Sequence, residues 1–428
     1  MDFAPILTTR RDAGRHCRED LRALARGAAD GSIPDYQLAA WLMAAYLNPL
    51  DADETAWLTE AIADSGDRMD LAGLPMPWVD KHSTGGVGDK TTLVLLPLLA
   101  ACGLTLVKMS GRGLGITGGT IDKLESIPGF DTDRTPEEMK DQANRIGLAI
   151  TGQSPDLAPA DKVLYALRDV TGTTSSIPLL VSSILSKKMA GGAETIVLDV
   201  KSGSGGFMRT AEGARALAQA LADTAHRLGL NCRLALTDME QPLGAAVGNA
   251  LEVEEAWQVL RSPDALPETT ARFRDLCLEL AGLTLVACGT GDRALAAQRL
   301  SDGTAWSKAR EWIAAQGGDV DAPLAKAPVT RDLTADRDGW LARLDARTVG
   351  RAVVDLGGGR RKKGDPIDPA VGVVIHRHVG HPVKSGDPLL TVHAADEAAA
   401  EKAVAAIREG IEIGPTLVAP RPLVIEQL

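Results

Sequence analysis

Cysteine is scarce and scattered: five residues in 428, Cys17, Cys102, Cys232, Cys277 and Cys288, none in a CxxC pair. That excludes a disulfide framework and a cysteine zinc site, and predicts reduced, mostly buried thiols. Long apolar runs are missing as well. The richest, Leu93 to Ala101, is too short to span a bilayer and contains Pro97. The opening stretch, MDFAPILTTRRDAGRHCRED, lacks a signal-peptide layout. A cytosolic protein with no membrane partner is expected. Basic charge is in deficit: 46 Lys and Arg against 57 Asp and Glu leave a formal net charge of −11. Such a surface repels phosphate backbones and argues against a nucleic-acid partner. An anion site would need a local concentration of donors.

What is present is globular, with 45% hydrophobic and 24% charged residues. The length predicts two or three domains. Residues 1–66 read as helices: Leu38, Trp41, Leu42, Ala45 and Tyr46 repeat at helical spacing, as do Trp57, Leu58, Ala61 and Ile62. From about residue 67 short apolar strands each lead into a glycine loop and a helix. Trp78-Val79 precedes Lys81–Gly88, Leu104–Met109 precedes Ser110–Thr120, and Thr195–Val200 precedes Lys201–Gly206. This alternation predicts an α/β fold with a mostly parallel sheet and ligands at the carboxyl ends of its strands. Ala160–Arg168 and Leu179–Met189 read as helices that return to the N-terminal ones. The expected organisation is therefore discontinuous: a helical domain from 1–66 and 159–192, an α/β domain from 67–158 and 193–330, and a small C-terminal α/β domain from 331–428. In the last, Val353-Val354, Val373–Ile375 and Leu389–Val392 are predicted strands.

Three glycine loops with interleaved Lys, Ser and Thr point to phosphate, because glycine lets backbone N–H groups approach an anion and the following helix adds its dipole. Gly113-Leu114-Gly115-Ile116-Thr117-Gly118 satisfies GxGxxG, but the loop runs on through Gly119 and Thr120 where a dinucleotide site needs a long helix at once. Gly85–Thr91 resembles a P-loop, yet Asp89 separates glycine from lysine and would repel a nucleotide phosphate. Ser183 and Lys187, four apart on an otherwise apolar helix, share one face. His376, His378 and His381 have the look of a metal cluster; an exposed C-terminal strand is the simpler account.

Lys81-His82-Ser83-Thr84-Gly85-Gly86-Val87-Gly88-Asp89, Lys108–Gly115 and Thr117–Glu125 closely resemble the thymidine and pyrimidine-nucleoside phosphorylase family, and the resemblance continues through Ala158–Val170, Ser182–Lys188 and Asp199–Met208. It implies a helical domain, an α/β domain and a C-terminal α/β domain, in a homodimer built through the helical domains. The implied reaction is reversible phosphorolysis of uridine, thymidine or deoxyuridine to free base and a pentose 1-phosphate. By resemblance Lys81, Ser83, Thr92, Lys108, Ser110 and Thr120 bind phosphate, the co-substrate. Arg168, Ser183 and Lys187 hold the base, with His82 on its other edge, donating a proton or only a hydrogen bond; His82, Arg168 and Lys187 are the implied catalytic residues. No organic cofactor is implied. The alternatives are a strict thymidine phosphorylase, a phosphoribosyltransferase of related architecture, for which no acidic pair to hold magnesium stands beside the loops, and a non-enzymatic nucleoside-binding protein.

Three departures carry expectations of their own. Lys108 follows the pyrimidine-nucleoside branch, so uridine and thymidine should both be accepted. Ile116 stands where the family has histidine, so the tie between this loop and Gly203–Gly206 is lost or replaced by apolar contact, giving a more open resting state. Relatives hold a monovalent metal near positions matching Gly88, Lys90, Leu243, Ala246 and Glu255. Lysine has no acceptor for a metal: either Lys90 points into solvent and weakens a potassium site, or its ammonium takes the ion's place.

Overall fold

The computed structural model describes every residue except Met1, Leu114, Pro155 and Lys363, so the first variable position of the GxGxxG motif lies outside the described residues. At the centre, β1 (Val79–Ser83), β4 (Thr195–Ser202) and β5 (Asn231–Asp238) run parallel, with β4 in the middle. All eight residues of β4 are buried, the pattern of a parallel strand covered on both faces. A second parallel pair, β2 (Leu106–Met109) and β3 (Leu148–Thr151), joins the edge through the Trp78–Thr105 bridge. Two strands run further than predicted: β1 takes in Lys81, His82 and Ser83, and β4 takes in Lys201 and Ser202, because backbone pairing continues past the last apolar residue, whereas β2 begins at Leu106, two residues later than predicted.

Four helices, Ala4–Arg11, Arg18–Ala29, Asp35–Leu47 and Ala52–Ala63, open the chain, and two more, Pro159–Thr171 and Ile177–Ala190, return to them. One apolar cluster contains Leu21, Leu24, Trp41, Leu42 and Leu58 together with Ala160, Leu164 and Leu179. The two stretches of sequence thus share a core, while Leu180, Val181, Ile184 and Leu185 of the helix Ile177–Ala190 pack against Ile196, Leu198 and Leu234 of the sheet.

The C-terminal part is built from two small antiparallel sheets. β6 (Ala246–Val247), β9 (Gly372–Ile375), β11 (Pro388–Ala394) and β7 (Val329–Thr334) form one; β10 (Pro382–Val383), β8 (Gly339–Leu344) and β12 (Ile411–Gly414) form the other. β6 thus leaves the α/β body to pair with β9, while the last strand, β13 (Val424–Gln427), returns to pair with β5. Val353-Val354 is not a strand: it lies in the helix Ala346–Asp355, which Asp345 caps by accepting from Thr348 N at 2.7 Å. Buried Val349, Ala352 and Val353 follow helical period, and that packing overrides the preference of paired valines. The histidines end just as differently. β9 stops at Ile375, His378 is buried against Gly244 O at 3.0 Å, and His376 meets Thr391 Oγ1 at 2.8 Å. Among the described residues no group of three His, Cys, Asp or Glu is placed to hold a metal. The five thiols are free, but only Cys277 is fully buried and Cys17 is exposed. No described helix is long and apolar enough to cross a membrane.

Candidate functional site

The carboxyl end of β1 carries Lys81, His82 and Ser83 into the Thr84–Gly88 loop. Lys81 is 1% exposed; its ammonium bonds Thr91 Oγ1, which donates to Asp89 Oδ1 at 2.7 Å. Burial alone would raise the Asp89 carboxyl, but Lys81 and Lys201 outweigh it and hold it well below the carboxylate range. Thr91 opens the helix Thr91–Ala101 and donates its backbone N–H to Asp89 Oδ1 at 3.3 Å, and buried Thr92 is the second residue. The positive end of the helix dipole favours an anion here. Ser110 follows β2, and Thr120 opens the short helix Thr120–Leu124 after the second glycine loop. That loop passes close to the first, since a side chain at Gly85 would stand 3.7 Å from Thr117.

The second group lies on the helical body. Lys187 Nζ donates to Ser183 Oγ at 2.9 Å, one helical turn away, and pairs with Asp161. Arg168, 2% exposed, donates to the carbonyls of Leu179 at 2.9 Å and Thr174 at 2.8 Å. Both cations lie over the Tyr165 ring, at 5.5 Å for Arg168 and 5.9 Å for Lys187. Asp161 and Tyr165 were not singled out from the sequence. Their signal is spacing: 161, 165 and 168 share one face of the helix Pro159–Thr171.

Between the groups stand His82, Lys108 and Lys188. Lys108 does not point its ammonium freely into the loops. It donates to Asp80 Oδ1 at 2.8 Å and to Lys81 O, which uses two of its three donors. Burial, then the charges of Lys188 and Lys108, pushes the His82 imidazole well below its usual value, so the ring is neutral at physiological pH.

Lys90 is fully buried. Its Nζ lies 2.6 Å from Glu255 Oε2 and donates to Leu243 O at 2.7 Å and Ala246 O at 2.9 Å, with the Phe273 ring 4.9 Å away. Glu255 also accepts from Ala245 N and Ala246 N, both at 2.7 Å. The loop wraps this pair so tightly that a Cβ at Gly244 (φ +73°) would sit 2.9 Å from the ammonium. The solvent-facing alternative for Lys90 does not hold. Ile116 packs against the mixed core shared with the C-terminal part, and its carbonyl lies where Gly350 of the helix Ala346–Asp355 leaves room.

Comparison with known proteins places this arrangement. Residues 4–66 match the glycosyl transferase family helical bundle domain, 76–309 the glycosyl transferase family a/b domain, and 340–414 the pyrimidine nucleoside phosphorylase C-terminal domain. A pyrimidine-nucleoside phosphorylase of Geobacillus stearothermophilus is 45% identical over 403 residues, 92% of each chain. A thymidine phosphorylase of Sinorhizobium fredii is 42% identical over 434 residues, 99% of this chain and 98% of that one. The fold is also that of anthranilate phosphoribosyltransferase from Thermus thermophilus, with a TM-score of 0.57 at 18% identity, covering 74% of this chain and 99% of that one. With all three domains matched and relatives aligned almost end to end, the chain belongs to the thymidine and pyrimidine-nucleoside phosphorylase family of pentosyltransferases.

Proposed function

We propose that this protein catalyses the reversible phosphorolysis of pyrimidine nucleosides, with uridine and thymidine both accepted. The observation that carries the reading is the position of His82, which feels the charges of Lys188 and Lys108 and also that of Lys187. An anion-binding loop set and a donor set suited to a planar base thus converge on one residue. Inorganic phosphate is already a nucleophile, so the enzyme has only to capture it and orient it against C1′ of the sugar. Lys81, Ser83, Thr92, Lys108, Ser110 and Thr120 do this, assisted by the N-terminal dipole of the helix Thr91–Ala101. As the glycosidic bond breaks, negative charge gathers on the ring oxygens of the base, and Arg168, Lys187 and Ser183 are preorganised donors for it. His82, being neutral, donates a hydrogen bond rather than acting as an imidazolium acid. The phosphate set lies in the α/β body and the base set on the helices Pro159–Thr171 and Ile177–Ala190, so turnover requires closure of the cleft between them. Release of uracil and thymine from uridine and thymidine, measured with and without phosphate, tests the reading. Phosphate-independent release, or none, would refute it.

The Lys90 ammonium replaces a monovalent cation in this proposal. A potassium ion does not fit these residues, because the ammonium already has the carboxylate and carbonyls that would coordinate it. The working form is a homodimer through the helical domains. Exposed Tyr36, Met43 and Leu47, at spacings of seven and four along the helix Asp35–Leu47, support that face as the contact.

A further inference from the structure

Asp80 precedes the Lys81–Ser83 run on β1, and its side chain is 7% exposed. Its two oxygens serve two different bodies of the protein. Oδ1 accepts from Lys108 Nζ on β2 at 2.8 Å. Oδ2 accepts at 2.6 Å from Lys188 Nζ, near the end of the helix Ile177–Ala190 that carries Ser183 and Lys187. Both lysine side chains are nearly as buried, at 5% and 6% exposed. Two ammonium groups on one carboxylate leave a positive charge uncompensated in a poorly solvated place. Burial opposes the ionisation of Asp80, but Lys108 and Lys188 bring it down to about 2, so it stays charged. The burden falls on Lys108. Burial lowers it, Asp80 holds it up, Lys188 and Lys81 push it down again, and the balance leaves it at about 8. The charged groups facing Lys108 are therefore Asp80 and Lys81 on β1 and Lys188 on the helix, with neutral His82 beside them.

We propose that Asp80 is a positioning residue for both substrates, keeping Lys108 in place and charged on the phosphate side while Lys188 anchors the helix that presents Ser183 and Lys187 to the base. Because both its oxygens are taken by lysines, Asp80 acts through them. The inference rests on the phosphorylase reading and extends it, since a merely structural ion cluster would leave the kinetics of folded enzyme alone.

The sign of the effect follows from the charge. A reaction that needs charged Lys108 runs fully below the lysine's pKa and is lost above it, so kcat/KM for phosphate in the wild type should fall along an alkaline limb near pH 8. Asp80→Asn keeps the size and removes the charge. Lys108 then gives up its proton more readily, and the limb should move at least one pH unit lower. At pH 7.5 kcat/KM should drop at least about threefold, with KM rising for both substrates. Asp80→Glu should restore the limb in part. Lys108→Arg, whose guanidinium does not titrate in this range, should carry the limb above pH 9.5 with Asp80 intact. The experiment is steady-state phosphorolysis of uridine from pH 6 to 9.5 for these four proteins, alongside thermal melts. An Asp80→Asn limb where the wild type has it, with only a lower melting temperature, would overturn the proposal. If that variant does not fold, an unmoved limb in Lys108→Arg overturns it equally. A wild type with no phosphate-dependent release overturns the phosphorylase reading and this inference together.

Discussion

Replacing Lys90 by threonine tests the built-in cation directly. The lysine–glutamate pair is 0% and 3% exposed, and the ammonium also serves the Leu243 and Ala246 carbonyls. Removing one partner of a buried pair costs about 3–5 kcal/mol, chiefly because the other charge is left uncompensated. Glu255 keeps the N–H groups of Ala245 and Ala246, so the low end, about 3 kcal/mol, applies here. Threonine is shorter and supplies an oxygen, which opens a space lined by a carboxylate, two carbonyls and a hydroxyl. That set suits potassium. An ion at a hundred times its Kd returns about 2.7 kcal/mol, nearly the whole loss. Melting and uridine phosphorolysis should be followed in choline chloride buffer free of sodium and potassium, with potassium chloride then titrated in. The wild type should be indifferent in both. Lys90→Thr should melt lower and turn over more slowly, and recover both with potassium. A wild type that needs potassium, or a Lys90→Thr enzyme deaf to it, would show that the ammonium is not standing in for an ion.

The base set should behave as transition-state donors: Lys187→Met should lower kcat/KM for uridine by about 10²–10³, with phosphate affinity in equilibrium binding unchanged. Gly350→Ala would push a Cβ to 2.9 Å from Ile116 O and 2.8 Å from Val87 Cγ2, so KM for phosphate should rise severalfold as the second glycine loop is displaced, and an unchanged KM would show that the C-terminal helix does not support that loop. Ile116→His should tighten phosphate binding and alter turnover if the apolar contact leaves the loop looser than a polar tie. His82 and His378 are held neutral by burial, His378 at about 3, so the unfolded chain binds protons below about pH 6.5 that the folded one does not. Stability should fall as pH drops from 6.5 toward 5, and urea midpoints at the two values measure it. Leu47→Glu should shift the protein toward monomer in sedimentation at micromolar concentration if the Asp35–Leu47 helix is the dimer face.

The glycine loops, the strands that precede them and the helices around Ala160–Arg168 and Leu179–Met189 were legible in the sequence. Each is local: apolar runs, glycines and helical spacing act over a few residues of chain. The i,i+4 relation of Ser183 and Lys187 was legible for the same reason, and it survives as a 2.9 Å hydrogen bond. Strand ends were not legible, because β1 continues through polar Lys81, His82 and Ser83 on backbone pairing with β4, which no side-chain pattern announces. Val353-Val354 misled because a β-branched pair states a preference, whereas Asp345 and a buried helical face decide. The sequence alone therefore determined which residue types stand after the strands in the glycine loops and on the helix Ile177–Ala190. Only the tertiary structure decided their charges and directions: that Lys108 leans on Asp80 across 28 positions, that Lys188 reaches the same carboxylate across 108, and that Lys90 meets carbonyls more than 150 residues away. Burial and neighbouring charge set the state of an ionisable group, and both come from chain segments that the local sequence does not contain.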